Sequence, residues 1–165
     1  MVLRWLALGV LAGCTTTRAP MPEPPTGLTT VAVAPVVNAT GDELVVSGDN
    51  FVAKMLKRPK RTVADALRDE LKSALRRQGF SVADAGAVPT LRVTLRHFEP
   101  DLPQLTWISV AVEATLGTAD APPQWTAERS RWLVDVRGAP TLAAAYESAA
   151  QNVARALVDG WQPAK

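Results

Sequence analysis

The sequence predicts an α+β domain, an antiparallel sheet of about four strands with two helices packed on one face, in the order β-α-β-β-β-α. Three observations predict it. The segments "TVADALRDELKSALRRQGF" (62–80) and "TLAAAYESAAQNVARALVDGW" (141–161) each carry an apolar stripe at helical spacing. Between them, "PTLRVTLRHFE" (89–99) and "TWISVAVEATLG" (106–117) alternate apolar and polar residues with period two, as strands with one wet face do. A chain of 165 residues with 47% hydrophobic and 21% charged side chains also suits one core rather than two.

In order along the chain, residues 28–38 read as a first strand. Val31, Val33, Val36 and Val37 are its β-branched positions, and Pro35 limits it to an edge or a bulge. A longer segment follows, with "ATGDELVV" (39–46) as a short strand, "SGDN" as a turn signal and "FVAKMLKRPKR" (51–61) as a basic run. The first helix opens on Thr62 and Asp65, which have capping-box spacing. Its stripe is Val63, Leu67, Leu71, Ala74 and Leu75; Arg76 and Arg77 suit the negative end of the dipole, and Gly79 supplies the stop.

In the sheet, Leu91, Val93 and Leu95 face inward against Ile108, Val110, Val112, Ala114 and Leu116. The expected register sets Leu95 opposite Ile108 and Arg96 opposite Trp107, where the guanidinium stacks on the indole. "QWTAERSRWLVDV" (124–136) is a third strand of mixed phase. Placing Trp132, Val134 and Val136 inside leaves Arg129 and Arg131 outside, within reach of Glu113. That phase turns Glu128 inward, so a late start or a bulge is required. Pro140 and Thr141 open the second helix, with Leu142, Ala145, Ala149, Val153, Ala156 and Leu157 on its stripe and Gly160 as the stop. There is no internal repeat.

The N-terminus has a different character. One positive charge at Arg4 precedes an apolar run over residues 5–11 and then the small residues Ala12 and Gly13, the layout of a secretory signal. At ~1.5 Å per residue the run is far too short to span a hydrocarbon core of ~30 Å. Leu11, Ala12, Gly13 and Cys14 resemble the lipobox of bacterial lipoproteins at all four positions, and Cys14 is the chain's one cysteine. The resemblance implies signal-peptidase cleavage before Cys14, a diacylglyceryl group on its sulfur and an acyl group on the new amine, a durable anchor at ~0.8 kcal/mol per buried methylene. Thr15 stands where an Asp would imply retention in the inner membrane. The implied address is therefore the periplasmic side of the outer membrane, or the outer face of the plasma membrane in a single-membrane organism. The expected organisation is a signal peptide over 1–13, a lipidated Cys and Pro-rich tether over 14–27, and a periplasmic α+β domain over 28–165. Pro20, Pro22, Pro24 and Pro25 favour polyproline II, a semi-rigid tether of roughly 3.1 Å per residue that lifts the domain off the headgroups.

Chemistry is sparse. The thiol is committed to lipid, and His97 is the only imidazole, so neither a nucleophile-base pair nor a zinc site is expected. The carboxylates of Asp65, Asp69 and Glu70 alternate with Arg68, Lys72 and Arg76 at helical spacing, as a solvated face does. Glu99 and Asp101 belong to a turn, and no Gly-rich loop has phosphate-binding spacing. No cofactor, metal or catalytic residue is expected. With 18 basic and 16 acidic residues the net charge of +2 gives no field to gather nucleic acid. Two surface features remain as candidate contacts. One is the basic segment with Phe51, Lys54, Lys57, Arg58, Lys60 and Arg61, suited to anionic headgroups or an acidic partner. The other is a patch on the wet sheet face formed by Arg92, Arg96, Phe98 and Trp107.

"TVAVAPVVNATGD" (30–42) resembles the opening of the domain in curli-secretion and penicillin-binding-protein-activator lipoproteins. "VADALRDELKSALRRQGFSV" (63–82) followed by "PTLRVTLRHFE" is similar to YajG-type and transport-auxiliary lipoproteins. The resemblance implies the α+β fold and a non-catalytic role. The expected function is thus an outer-membrane-anchored lipoprotein whose domain binds other envelope proteins as an accessory in envelope assembly or transport. A lipid- or glycan-binding carrier or sensor is the alternative and requires a deep apolar pocket between helices and sheet. A hydrolase requires a polar pocket containing His97 or the Glu99/Asp101 turn. The sequence leaves the oligomeric state open.

Overall fold

The computed structural model describes residues 21–48, 54–57, 59–84 and 87–164. The signal segment, the lipobox with Cys14, and Phe51 and Arg58 of the basic segment lie outside the described residues. The elements are β1 (Thr30–Val33), β2 (Val37–Asn38), β3 (Val45–Ser47), β4 (Arg61–Thr62), α1 (Val63–Arg77), β5 (Ser81–Ala83), β6 (Thr90–Pro100), β7 (Trp107–Gly117), β8 (Trp125–Asp135) and α2 (Leu142–Leu157).

The α+β class and the two helices on one sheet face stand, but the sheet is mixed and has six strands where about four antiparallel ones were expected. Its order is β5-β1-β6-β7-β8, with β2 also on β6, and β3 and β4 form a separate two-stranded ribbon. β1 lies inside the sheet, parallel to both β5 and β6. The parallel pairing of β1 and β5 needs a crossover, and α1 lies on that route. Pro35 does not hold β1 at an edge. It stands in the gap where the chain leaves β6 after Val33 and returns to it as β2.

α1 forms as its sequence dictates. The Thr62 hydroxyl accepts from the Asp65 amide at 3.2 Å, and the Asp65 carboxylate accepts from the Thr62 amide at 2.9 Å, closing the capping box. All five stripe residues of α1 are buried. α2 is capped by the Thr141 hydroxyl, which accepts from the Ala144 amide at 3.1 Å. Its buried face is turned from the expected stripe: Tyr146, Ala150 and Ala154 join Ala145, Ala149, Val153 and Leu157 inside, while Leu142 is 40% exposed. The rotation arises because α2 packs on α1 as well as on the sheet, which calls for a wider apolar arc than one stripe.

β6 and β7 alternate as expected, with Leu91, Val93, Leu95, Ile108, Val110, Val112, Ala114 and Leu116 all buried. Their register differs from the expected one. Leu95 faces Val112, and Leu91 faces Leu116. A shift between Leu95 and His97 then inserts one residue into β6. An inserted residue inverts the phase of everything beyond it, so Phe98 turns inward and is 5% exposed. A second shift, opposite Val110 and Val112, puts the required bulge in β8. It lets Trp125 and Ala127 be buried before it and Val134 after it, with Glu128 outside. Arg129 falls on the inward phase, correcting its expected outward position, and its guanidinium lies 4.7 Å from the Trp132 ring centroid.

The space between helices and sheet is filled by fully buried side chains, including Leu67, Leu71, Leu75, Leu95, Ile108 and Leu157. At one end Trp161, 1% exposed, packs edge-to-face on Trp125 at 5.0 Å and on Phe80 at 6.4 Å. The described part of the Pro-rich segment lies along this same end. The Met21 sulfur is 3.1 Å from Arg129 Nε, Pro24 abuts Gly160, and the Leu28 carbonyl accepts from the Ala164 amide at 2.7 Å. Residues 21–27 thus touch the domain at Met21 and Pro24.

Candidate functional site

The sheet-face patch does not assemble. The β6 bulge takes Phe98 into the core, where it packs edge-to-face on Tyr146 at 5.3 Å. Arg96 binds Glu113 across the β6–β7 pair at 2.7 Å and does not stack on Trp107. That hydrogen bond holds the Glu113 carboxyl below its ordinary range and the Arg96 guanidinium above its own. The cation that meets Glu113 is thus Arg96, from β6, where Arg129 and Arg131 of β8 were expected. Trp107 is 37% exposed at the far end of β7, with Arg137 above its ring at 5.3 Å. Arg92 donates to the Gly117 carbonyl at 3.3 Å and borders a shallow 290 Å³ hollow with Pro35 and Val37.

The basic segment is partly drawn into the fold. Lys60 pairs with Glu43 at 2.9 Å, and Arg61 bridges Glu147 at 2.5 Å and Asp69 at 3.3 Å. The hydrogen bond that Arg61 donates to Glu147 is the main cause of its raised pKa. Lys54 and Lys57 are exposed, as are Met55 (64%) and Leu56 (53%) between them. This short stretch keeps the mixed basic and apolar surface expected of it, while Lys60 and Arg61 act as struts.

A concavity forms elsewhere, at the C-terminal half of β6. It measures 640 Å³ and opens to solvent. Phe98, Leu142 and Tyr146 line its inner side, and Arg96, His97 and Glu99 line the other. The facing wall is the loop over residues 40–45, including Asp42 and Glu43. That loop turns through an Asn38-centred knot: Asn38 Nδ2 donates to the Asp42 carbonyl at 2.8 Å, and the Thr40 amide and hydroxyl donate to Asn38 Oδ1 at 3.1 and 2.8 Å. α1 holds its far end through the Val63 amide, which donates to the Leu44 carbonyl at 2.8 Å. Burial, and then the charge of Asp42, push the Tyr146 phenol up.

His97 Nε2 lies 3.5 Å from Glu99 Oε2, and both side chains are exposed. The sequence singled out Arg96, His97, Phe98 and Glu99 without joining them into one cleft; Asp42, Glu43, Leu142 and Tyr146 were missed. The Asn-Ala-Thr-Gly-Asp run after a short strand was the available signal for the turned wall. Among the described residues no group of His, Cys, Asp and Glu is placed to hold a metal ion, and no helix is long and apolar enough to cross a membrane.

No protein-family model and no curated protein matches the chain. Solved structures do. PelC from Paraburkholderia phytofirmans, solved as a dodecamer, is 17% identical, with a TM-score of 0.53 over 84% of this chain and 96% of that one. A variant PelC dodecamer from the same organism is 15% identical, with a TM-score of 0.56 over 88% and 97%. XCC0632 from Xanthomonas campestris, assigned to the family model DUF330, is 19% identical, with a TM-score of 0.54 over 84% and 86%. At these identities the likeness shows a shared fold. These structural neighbours are PelC and DUF330 proteins, and they neither support nor exclude the finer YajG-type likeness.

Proposed function

We propose that this chain is an outer-membrane-anchored lipoprotein whose periplasmic domain is a non-catalytic, protein-binding accessory in envelope assembly or transport. The observation that carries the reading is the Leu11-Ala12-Gly13-Cys14 box behind a short apolar run, which gives the lone cysteine a chemical purpose. The filled space between helices and sheet supports a surface role over a lipid or glycan carrier, which needs an apolar pocket there. Against hydrolysis, the cleft pairs His97 with an exposed carboxylate, and no hydroxyl is hydrogen-bonded to the imidazole among the described residues.

Metabolic labelling with an alkyne fatty acid tests the anchor. Label is expected on the wild-type chain in the outer-membrane fraction and is expected to vanish in Cys14→Ser. An intact Met1 with an unmodified thiol in the native material would overturn the reading.

A further inference from the structure

β6 has two edges, and they are used differently. Along one, β7 pairs with it from Thr90 to Pro100. Along the other, β1 pairs at Thr90 and Leu91 and β2 at Thr94 and Leu95, and among the described residues no strand pairs with β6 beyond Leu95 on that side. The last ladder bond is donated by the Ala39 amide to the Leu95 carbonyl at 2.8 Å. The Asn38 knot then turns the chain away.

The cleft lies against this bare stretch. Its walls include inner-face residues (Phe98, with Leu142 and Tyr146 beyond it) and outer-face residues (Arg96, His97 and Glu99) of the same strand. A space touched from both faces of one strand lies at that strand's edge, where the next strand of the sheet would run. The bare stretch over residues 96–100 is roughly 17 Å long at ~3.4 Å per residue.

The rim chemistry restricts what fits. Asp42 and Glu99 supply carboxylates, while the charges of Arg96 and Glu43 are already met by Glu113 and Lys60. Alternate residues of an extended chain point to opposite faces. One set would meet the apolar side at Phe98, Leu142 and Tyr146, and the other the carboxylates.

We propose that this slot is a β-augmentation site, taking an extended segment of a partner protein that alternates apolar and basic side chains as an added strand on β6. Main-chain hydrogen bonds to the bare edge hold the segment, and the rim carboxylates select its charge. The inference rests on the protein-binding reading and names the chemistry of the partner.

The test uses the purified full chain and two synthetic peptides of equal length, one alternating lysine and valine, the other glutamate and valine. Binding is followed by fluorescence anisotropy, and amide hydrogen exchange is read at residues 96–99. The lysine peptide is expected to bind at least roughly tenfold more tightly and to slow exchange at the Phe98 amide by about tenfold or more. Asp42→Lys combined with Glu99→Lys is expected to reverse the preference, and Leu142→Trp, which fills the slot, to abolish both signals; circular dichroism confirms that each variant folds. Equal affinity for the two peptides, or binding without slowed exchange, would overturn the proposal. So would protection that rises with protein concentration in the absence of peptide, which assigns the slot to a second copy of the chain. Peptide binding by protein that carries no lipid would leave this inference standing and remove the anchor reading. Lipid labelling with no peptide preference would do the reverse.

Discussion

The two ends of β6 show what a closed and an open sheet end look like in one molecule. At the N-terminal end, Leu91 faces Leu116, which faces Trp125, and Trp161 and Phe80 cap the row with edge-to-face contacts. The strand there has a neighbour on each side, and residues 21–28 and the C-terminal tail are laid over the end. At the C-terminal end an aromatic pair is again present, Phe98 on Tyr146, but the neighbouring strand has turned away and left a cleft. Both ends bury aromatic rings. They differ in whether the backbone edge is covered, so apolar burial and backbone pairing are separable, and it is the second that leaves a site.

The largest expected effect is at the closed end. Trp161→Ala removes a fully buried side chain that joins Trp125 to Phe80, and should cost about 3–5 kcal/mol in urea unfolding. Leu142→Ala at the open end, where the side chain is already 40% exposed, should stay within about 0.5 kcal/mol. Equal losses at the two positions would break the contrast. Gly48→Ala comes next. Gly48 has φ +89°, and an added Cβ would lie 2.5 Å from the Pro59 carbonyl oxygen and 2.8 Å from Lys60 Cα, both backbone atoms. The β3–β4 ribbon would have to shift, with an expected loss of more than about 1 kcal/mol, and the 40–45 wall that runs into β3 should loosen with it. Faster amide exchange at Val45 and Thr62 would report that coupling.

What the sequence made legible follows how local each determinant is. α1 was readable from end to end because its cap, stripe and stop all lie within its own residues: Thr62 with Asp65, Val63 through Leu75, Gly79. The alternation in β6 and β7 was equally local. Their register was not: even before the bulge Leu95 faces Val112, four residues from the expected Ile108, and the bulge after Leu95, a property of the pair, then moves Phe98 from the wet face to the core. β5 has no sequence signal because Ser81, Val82 and Ala83 are too few to show a period, and Pro35 reads as the mark of an edge or a bulge because nothing near β1 in the sequence announces the parallel partner that covers it. The cleft had no sequence signature as a whole. It exists because β2 stops at Asn38 while β6 continues to Pro100, a mismatch in length between strands about fifty residues apart in the chain.

Effects smaller than that at Trp161 concern how firmly α1 holds the far wall of the open end. Thr62→Ala removes the hydroxyl that accepts from the Asp65 amide, at a cost of about 1 kcal/mol in thermal unfolding. Because the Val63 amide bonds the Leu44 carbonyl, part of that loss should appear as faster exchange at Val63. Asp65 supplies the other half of the box, and it gives the contact a pH dependence. The hydrogen bond from the Thr62 amide, and then that from the Thr62 hydroxyl, hold its carboxyl below the ordinary value. A carboxyl whose folded pKa is depressed adds stability that is fully present above its unfolded pKa of about 3.9 and is lost as pH falls through the folded value. Asp65→Asn should therefore melt below the wild type at neutral pH, with the gap closing only as pH drops below about 4. Asp65 is exposed, so the gap should be small. A gap that persists unchanged toward about pH 2 would mean that Asp65 acts through shape and not through charge.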